Sequence, residues 1–273
     1  MGTLYIVATP IGNLEDMSFR AVRVLREVAV IAAEDTRTTR RLLTHFDIHT
    51  PLTSYHEYTE PAKIERLLDR LGEGDMALVS EAGMPGISDP GAPLIAAAIR
   101  RGIRVVPVPG ASALLSALAV SGLPTEAFTY LGFLPRRPSD RRSAIGAAAA
   151  LPYTLVWFET PHRLRDALAD LYAILGDRPI AVARELTKLY EEVWRGTLGD
   201  AVAHFAAVEP RGEFTLVVGG APAVTDVWDE AAVRVALDAA LASGKRGREA
   251  ARSVAQDAGW STRDVYALLV KKP

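Results

Sequence analysis

Carboxylates and hydroxyls gather at the points where this chain passes from apolar runs into loops. Ser80–Glu81–Ala82–Gly83–Met84–Pro85–Gly86–Ile87–Ser88–Asp89–Pro90–Gly91 follows the apolar run Met76–Val79. It combines two carboxylates, Glu81 and Asp89, with small or hydroxyl-bearing side chains and a dense Gly/Pro turn cluster. Glu34-Asp35-Thr36-Arg37 follows Val28–Ala33, Pro10-Ile11-Gly12-Asn13 follows Leu4–Thr9, and Pro109-Gly110-Ala111-Ser112 follows Ile103–Val108. Each apolar run reads as a buried strand, and loops at the carboxyl ends of parallel strands are where open α/β sheets hold ligands. The spacing predicts a helix over Pro93–Ile99, with Asp89 as its N-cap and Pro90 at its first position.

Several chemistries are excluded by what these loops lack. The chain has no G-x-G-x-x-G, no G-x-x-x-x-G-K-[ST] and no G-x-S-x-G, so neither a phosphate cradle nor a serine-nucleophile elbow is present. There is no cysteine, and the five histidines form no H-E-x-x-H, which leaves only an oxygen-ligated metal open. A ligand without a phosphate suits such loops. S-adenosylmethionine is one, with a ribose for a carboxylate or hydroxyl, an adenine for an apolar slot, and a carboxylate–ammonium end; sugars and other nucleosides fit as well.

The elements that position these loops alternate. Helical spacing over Ser18–Glu27, Thr38–Phe46, Pro61–Leu71 and Ala113–Val120 separates the strands, which argues a mostly parallel sheet covered on both faces. Gly122-Leu123-Pro124 marks a break. Beyond it Phe128–Gly132, Tyr153–Phe158, Ile180–Ala183, Glu191–Arg195 and Phe214–Val218 read as strands of a second, mixed sheet. A helix is predicted over Pro161–Ile174, capped by Thr160. From Ala221 the pattern is helical only: Trp228–Leu241, Arg248–Asp257, and a third helix opened by Ser261-Thr262-Arg263-Asp264, a sequence resembling a capping box. The last two, joined through Ala258-Gly259-Trp260, resemble a helix-turn-helix. The expected domains are 1–121, 122–220 and 221–273.

The chain of 273 residues is 49 % hydrophobic and carries a net charge of −2, ordinary for a globular protein. No basic leader or transmembrane-length apolar run opens or interrupts it, so a cytoplasmic protein with no membrane partner is expected. Arginine clusters at Arg37/Arg40/Arg41, at Arg136/Arg137/Arg141/Arg142 and around Lys245–Arg252.

Seven stretches occur in an order that identifies a family. They are Val7-Ala8-Thr9-Pro10-Ile11-Gly12-Asn13-Leu14, Ala33-Glu34-Asp35-Thr36-Arg37, Ser80–Gly91, Pro107–Leu114, Gly132-Phe133-Leu134-Pro135, Phe158-Glu159-Thr160-Pro161-His162-Arg163 and Arg184-Glu185-Leu186-Thr187-Lys188. Together, over residues 3–220, the chain resembles the ribosomal RNA small-subunit methyltransferase I family of the tetrapyrrole-methylase superfamily. That resemblance implies two α/β domains with S-adenosylmethionine in the cleft between them. It also implies a homodimer and 2′-O-methylation of a cytidine ribose in the decoding region of small-subunit (16S) ribosomal RNA. Three positions depart from the family pattern: Glu81 for Asp, Met84 for Thr and Phe158 for Tyr.

The resemblance places the cofactor across Pro10, Ser80, Glu81, Ala82, Gly83, Ile87, Ser88, Ser112, Phe158, Leu186, Glu213, Phe214 and Thr215. Ser112 and its neighbouring amides open a helix that would hold the cofactor carboxylate, with Phe158 and Leu186 walling the adenine. In-line transfer of a methyl group to a ribose hydroxyl needs positioning and a proton acceptor. Glu34, Asp35, Asp89, Glu185 and Lys188 are the candidates; Lys188 would act as a desolvated base or pair with Glu185 or Glu191. RNA contacts are expected from Arg37, Arg136, Arg137, Arg141, Arg142, Arg163, Arg184, Lys245, Arg246, Arg248 and Arg252, with the Phe133–Arg142 loop mobile until RNA binds. Two other readings share parts of this pattern: a methyltransferase acting on a tetrapyrrole, and a non-catalytic RNA-binding assembly factor.

Overall fold

The computed structural model describes residues 2–56, 58–222 and 228–270, apart from the side chains of Gln256 and Val270. The first sheet contains β1 (Thr3–Val7), β2 (Val30–Ala33), β3 (Leu52–Ser54), β4 (Met76–Val79) and β5 (Arg104–Val108), all parallel, in the order β3-β2-β4-β1-β5. Alternation along each strand feeds two apolar layers. Leu4, Ile6, Val30, Ala32, Met76 and Leu78 pack on α3 (Pro61–Arg70) and α4 (Ala92–Arg100). Val7, Ile31, Ala33, Ala77 and Val79 pack on α1 (Phe19–Glu27) and α2 (Thr36–His45). The adjacent strands β1 and β4 thus send their chains to opposite faces. Their carboxyl ends form the switch point at which such sheets open a crevice. The three-residue β3 escaped the sequence reading because it is too short for a period-two signal.

The second sheet holds β6 (Phe128–Phe133), β7 (Thr154–Glu159), β8 (Pro179–Arg184), β9 (Glu192–Thr197) and β10 (Phe214–Val218) in the order β6-β7-β10-β8-β9. Only β6 and β7 run parallel, so the sheet is mixed. One face, with Leu155, Trp157, Ile180, Val182, Leu216 and Val218, is covered by α6 (Pro138–Ala148), α7 (Leu164–Leu175) and α8 (Leu198–Ala207). The other face, with Val156, Ala181, Ala183 and Val217, is covered by Ala117 and Leu118 of α5 (Ala113–Ser121). In sequence α5 closes the first strand–helix series, yet its sheet contacts are to the second. Both sheets belong to one compact unit ending at Ala221.

Two helix starts differ from expectation. The cap of α4 is Gly91, with Pro93 in its first turn. Asp89 therefore does not cap it; its carboxylate is drawn instead to Ser80. Similarly α7 begins at Leu164 rather than Pro161. The Glu159 carboxylate accepts hydrogen bonds from Thr160 N–H and Oγ1 and from Arg163 Nη2, which holds 160–163 as a turn.

The separate unit from Pro222 contains α9 (Glu230–Ala242), α10 (Gly247–Ala258) and α11 (Thr262–Val270) around Val233, Leu237, Ala250, Ala251, Val254 and Val265. Gly259 ends α10 in the left-handed conformation, φ +67°, and Trp260 Nε1 donates to the Trp228 carbonyl at 2.8 Å. Ser261 Oγ accepts from Asp264 N–H at 3.1 Å, the expected cap of α11. No helix among the described residues is long and apolar enough to cross a membrane.

Arg141 is 4 % exposed and donates through Nε to Asp170 Oδ2 at 2.7 Å, which locks α6 onto α7. It is a brace and not an RNA contact, because its guanidinium does not reach solvent. Truncating one partner of a buried pair strands the other charge. Arg141→Ala is expected to lower unfolding stability by about 3 kcal/mol in a urea titration, whereas exposed Arg142→Ala costs less than about 1 kcal/mol.

Candidate active site

The loops after β1 and β4 are stitched together. Thr9 and Gly83 exchange backbone hydrogen bonds at 2.9 and 3.0 Å, an isolated antiparallel bridge. Gly83 makes this turn at φ +74°, a conformation that suits glycine. Thr9 Oγ1 donates to the Ser80 carbonyl, and buried Ser80 donates toward the carbonyls of Ala82 and Gly83. Pro10, Ser80 and Gly83 therefore come together, with Ala82, Ile87 and Ser88 standing exposed beside them.

Asp89 lies in this loop as the most perturbed carboxyl of the site. Burial, then the charge of Glu34 and more weakly that of Glu81, push it up to about 6 against the pull of a Ser80 hydrogen bond. Glu34 in turn accepts from Glu81 N–H at 3.3 Å. Asp35 is tied down instead: its Oδ1 accepts from Arg37 N–H at 2.7 Å and from Thr38 N–H, which caps α2 and holds it below the usual carboxylate range. It is a cap, not a base. No three His, Asp or Glu side chains among the described residues converge to hold a metal ion.

The second sheet contributes an aromatic group. Phe158 lies with Tyr130 at 5.2 Å and Phe133 at 5.5 Å between ring centroids, both edge-on. The Tyr130 hydroxyl shares a hydrogen bond with Ser88, joining strand β6 to the loop after β4; Ser88 is held at φ +59°, which is rare for a non-glycine residue. Burial chiefly, and the nearby Asp89 charge, hold the Tyr130 phenol above its ordinary value despite that bond. Thr215 pairs in register with Phe158 and Ala183 and shares their face. Phe214 does not: its ring faces the opposite side, in the core with Phe205 at 6.1 Å, so as a cofactor contact its side chain is ruled out. Ser112 caps α5 by accepting from Leu115 N–H.

Lys188 corrects the expectation of a basic amine. Burial pulls it down, but ion pairs with Glu185 Oε1 at 2.8 Å and Glu213 Oε2 at 2.9 Å outweigh that and hold it above its ordinary value. A lysine so held stays protonated and does not accept a proton. Glu185 is kept below the usual range, since Lys188 and the Glu213 N–H outweigh its burial. Glu191, the other carboxylate expected to pair with Lys188, instead accepts from Thr187 N–H. The knot carries strain: Glu185 and Thr187 both have positive φ, 49° and 66°, on either side of buried Leu186. The Lys188 stem lies over Gly12, where any Cβ would collide with it. The Thr187 hydroxyl is buried with no partner.

Among the expected RNA contacts, Arg37, Arg136, Arg137, Arg142, Lys245, Arg246, Arg248 and Arg252 are exposed. Arg163 is not available. Its guanidinium bonds the carbonyls of Leu134 and Pro135 and the buried Glu159 carboxylate, so it fixes the loop after β6. Arg184 is likewise engaged with the Arg211 carbonyl and Glu192. The Phe133–Arg142 stretch is an anchored turn running into α6, not a free loop. Sequence reasoning missed Tyr130, whose only signal was a hydroxyl-bearing ring in an otherwise apolar strand, and Thr187, which is visible only as strain.

This arrangement fits a known architecture. The model of the Tetrapyrrole (Corrin/Porphyrin) Methylases matches residues 3–202. Among solved structures, cobalt precorrin-4 methyltransferase superposes with a TM-score of 0.61 at 18 % identity, covering 80 % of this chain and 94 % of that one. Diphthine synthase gives 0.63 at 15 % identity, covering 81 % and 90 %. Both likenesses are of fold. Closer in sequence are two proteins named ribosomal RNA small subunit methyltransferase I. The one from Halalkalibacterium halodurans is 51 % identical over 97 % of this chain and 93 % of its own length; that from Synechocystis is 46 % identical over 98 % and 97 %. The chain is a methyltransferase and belongs to the ribosomal RNA small subunit methyltransferase I family, within the tetrapyrrole methylases.

Proposed function

We propose that this enzyme transfers a methyl group from S-adenosylmethionine to the 2′-oxygen of a cytidine ribose in the decoding region of 16S ribosomal RNA. The observation that carries this reading is the extent of similarity. Relatives named for ribosomal RNA match 97–98 % of the chain, including the helical unit, whereas the tetrapyrrole-methylase model ends at residue 202. That unit displays Lys245, Arg246, Arg248 and Arg252 to solvent, suited to phosphates. A ribosomal substrate places the enzyme in the cytoplasm. A homodimer belongs to the same reading, since α5 turns Leu115 and Val120 to solvent where a second copy would cover them.

The residues present fit such a cofactor. Exposed Ala82, Ile87 and Ser88, the Phe158 and Leu186 walls and the unpartnered Thr187 hydroxyl offer an apolar slot with few polar groups and no phosphate cradle. When bound, S-adenosylmethionine supplies an electrophilic methyl group. Asp89 is the acceptor for the ribose proton: near neutral pH it is ionised, and its raised affinity makes it a better base than an exposed carboxylate. Ser80 orients it, Glu34 and Glu81 raise its basicity, and Lys188 holds the wall loop in place through Glu185 and Glu213.

The direct test is methyl transfer from labelled S-adenosylmethionine to small ribosomal subunits, followed by localisation of the modified nucleotide. Label on a cytidine 2′-oxygen is the expected result; label on a tetrapyrrole, or tight RNA binding with no transfer, overturns the reading. Asp89→Asn should lower kcat by about 10²–10⁴-fold while calorimetry finds cofactor affinity within a few-fold of wild type.

The pH dependence follows from the same carboxyl. kcat/KM should rise with pH through about 6, and Glu34→Gln, which removes a like charge, should move that limb to lower pH. Folded Asp89 binds its proton more tightly than the unfolded chain does, so its ionisation costs stability as pH climbs through that window. The Asp89→Asn melting temperature should therefore exceed that of wild type at about pH 8 and match it at about pH 4.

A further inference from the structure

The β6 strand contains a register shift that changes which side chains meet the site. Phe128, Thr129 and Tyr130 pair with Thr154, Leu155 and Val156 in turn, and then Phe133 pairs with Phe158. Two residues, Leu131 and Gly132, thus oppose Trp157 alone. Without that extra residue, alternation would put residue 133 on the face opposite Tyr130, toward the α6–α8 core. The bulge returns Phe133 to the face of Tyr130 and Phe158. Gly132 makes it possible at φ +67°, beside the Ser88 hydroxyl.

Phe133 is then left 51 % exposed, although it touches the aromatic group of the site. The exposure is not a consequence of looseness. Leu134, the next residue, is buried in the core, and Arg163 grips the carbonyls of Leu134 and Pro135 while paired with Glu159. Three and four residues past the ring come Arg136 and Arg137, both exposed and neither within ion-pair distance of a carboxylate among the described residues. A rigidly held, half-exposed ring followed by two free guanidinium groups is what an unstacked nucleotide requires: a π surface for the base and cations for the flanking phosphates.

Resting on the RNA reading above, we propose that Phe133 is the stacking platform for a nucleobase of the RNA substrate, the target base or its neighbour, with Arg136 and Arg137 holding the adjoining phosphates. A 2′-hydroxyl inside a stacked helix is poorly placed for in-line transfer. A platform next to Phe158 would hold the base out of the stack while its ribose faces Asp89. The bulge, Gly132 and the Arg163–Glu159 brace are the devices that position the platform.

The test is steady-state methylation of unmethylated small ribosomal subunits by wild type, Phe133→Leu, Phe133→Ala and Phe133→Tyr, with S-adenosylmethionine affinity measured by calorimetry on each. Leu keeps an apolar side chain against Phe158 and removes only the π face. Both Leu and Ala should raise KM for subunits by about tenfold or more with cofactor affinity within twofold, and Tyr should recover most of the loss. Unchanged KM in the Leu variant overturns the platform. An equal loss of cofactor affinity also overturns it and makes the ring a cofactor wall. A wild type that labels subunits while Phe133→Leu labels them equally sinks this inference alone; a wild type that labels no RNA sinks the RNA reading with it.

Discussion

The packing of α5 on the second sheet is the constraint from which the rest of the architecture follows. The helix Ala113–Ser121 is apolar on all sides, so it gains little from lying on a solvent-facing edge of the first sheet. Instead Ala117 and Leu118 bury against Val156, Ala181, Ala183 and Val217. A helix that begins directly after β5 and ends on the far sheet fixes where both sheets' carboxyl-end loops can meet. Ile11, Leu123 and Leu186 close the same apolar cluster from three separate loops. Arg195, on β9, adds a polar tie by donating to the Val120 carbonyl at 3.1 Å.

With the sheets so joined, electrostatics divides the charged residues into two groups. Lys188 bridges two carboxylates, and these ion pairs hold the lysine above and Glu185 below their ordinary values despite burial. Around Asp89, burial and the like charges of Glu34 and Glu81 outweigh the pull of Ser80 and push its carboxyl up to about 6. The same residue types thus take opposite shifts in the two places, Glu185 downward beside a lysine and Asp89 upward among like charges. The arginines divide on similar grounds. Arg141 and Arg163 have carboxylates in reach and act as braces; Arg136 and Arg137 have none among the described residues and face solvent.

Much of this was legible in the residues. The strand–helix alternation, the Gly and Pro punctuation and the change of pattern after Gly122 gave both sheets and the helical tail, because buried strands and capped helices leave local signals. Ordered motifs then brought most of the site together. What stayed hidden was set by tertiary context. Arg141 shares the buried face of α6 with Ile145 and Ala148, but its charge concealed that spacing; Asp170 of α7 meets it there, while Arg142, also near that carboxylate, stays exposed. Lys188 looked like a desolvated base because Glu213, its second ion-pair partner, comes from the distant turn that precedes β10. Asp89 looked like a helix cap until Gly91 took that place, and the bulge at Leu131-Gly132 shows no signature beyond a glycine in a strand.

The contact between Gly12 and the Lys188 stem has an evolutionary consequence. The two positions are far apart in the chain, in motifs that read as independent, yet they occupy a single volume: a side chain at one evicts the other. A descendant that lost the lysine would free room at position 12, whereas one that gained a side chain at 12 first would lose the tie between Glu185 and Glu213. Removing the lysine does not by itself license a side chain at 12, because the backbone there, at φ +157°, also disfavours one, so the glycine answers to two independent constraints.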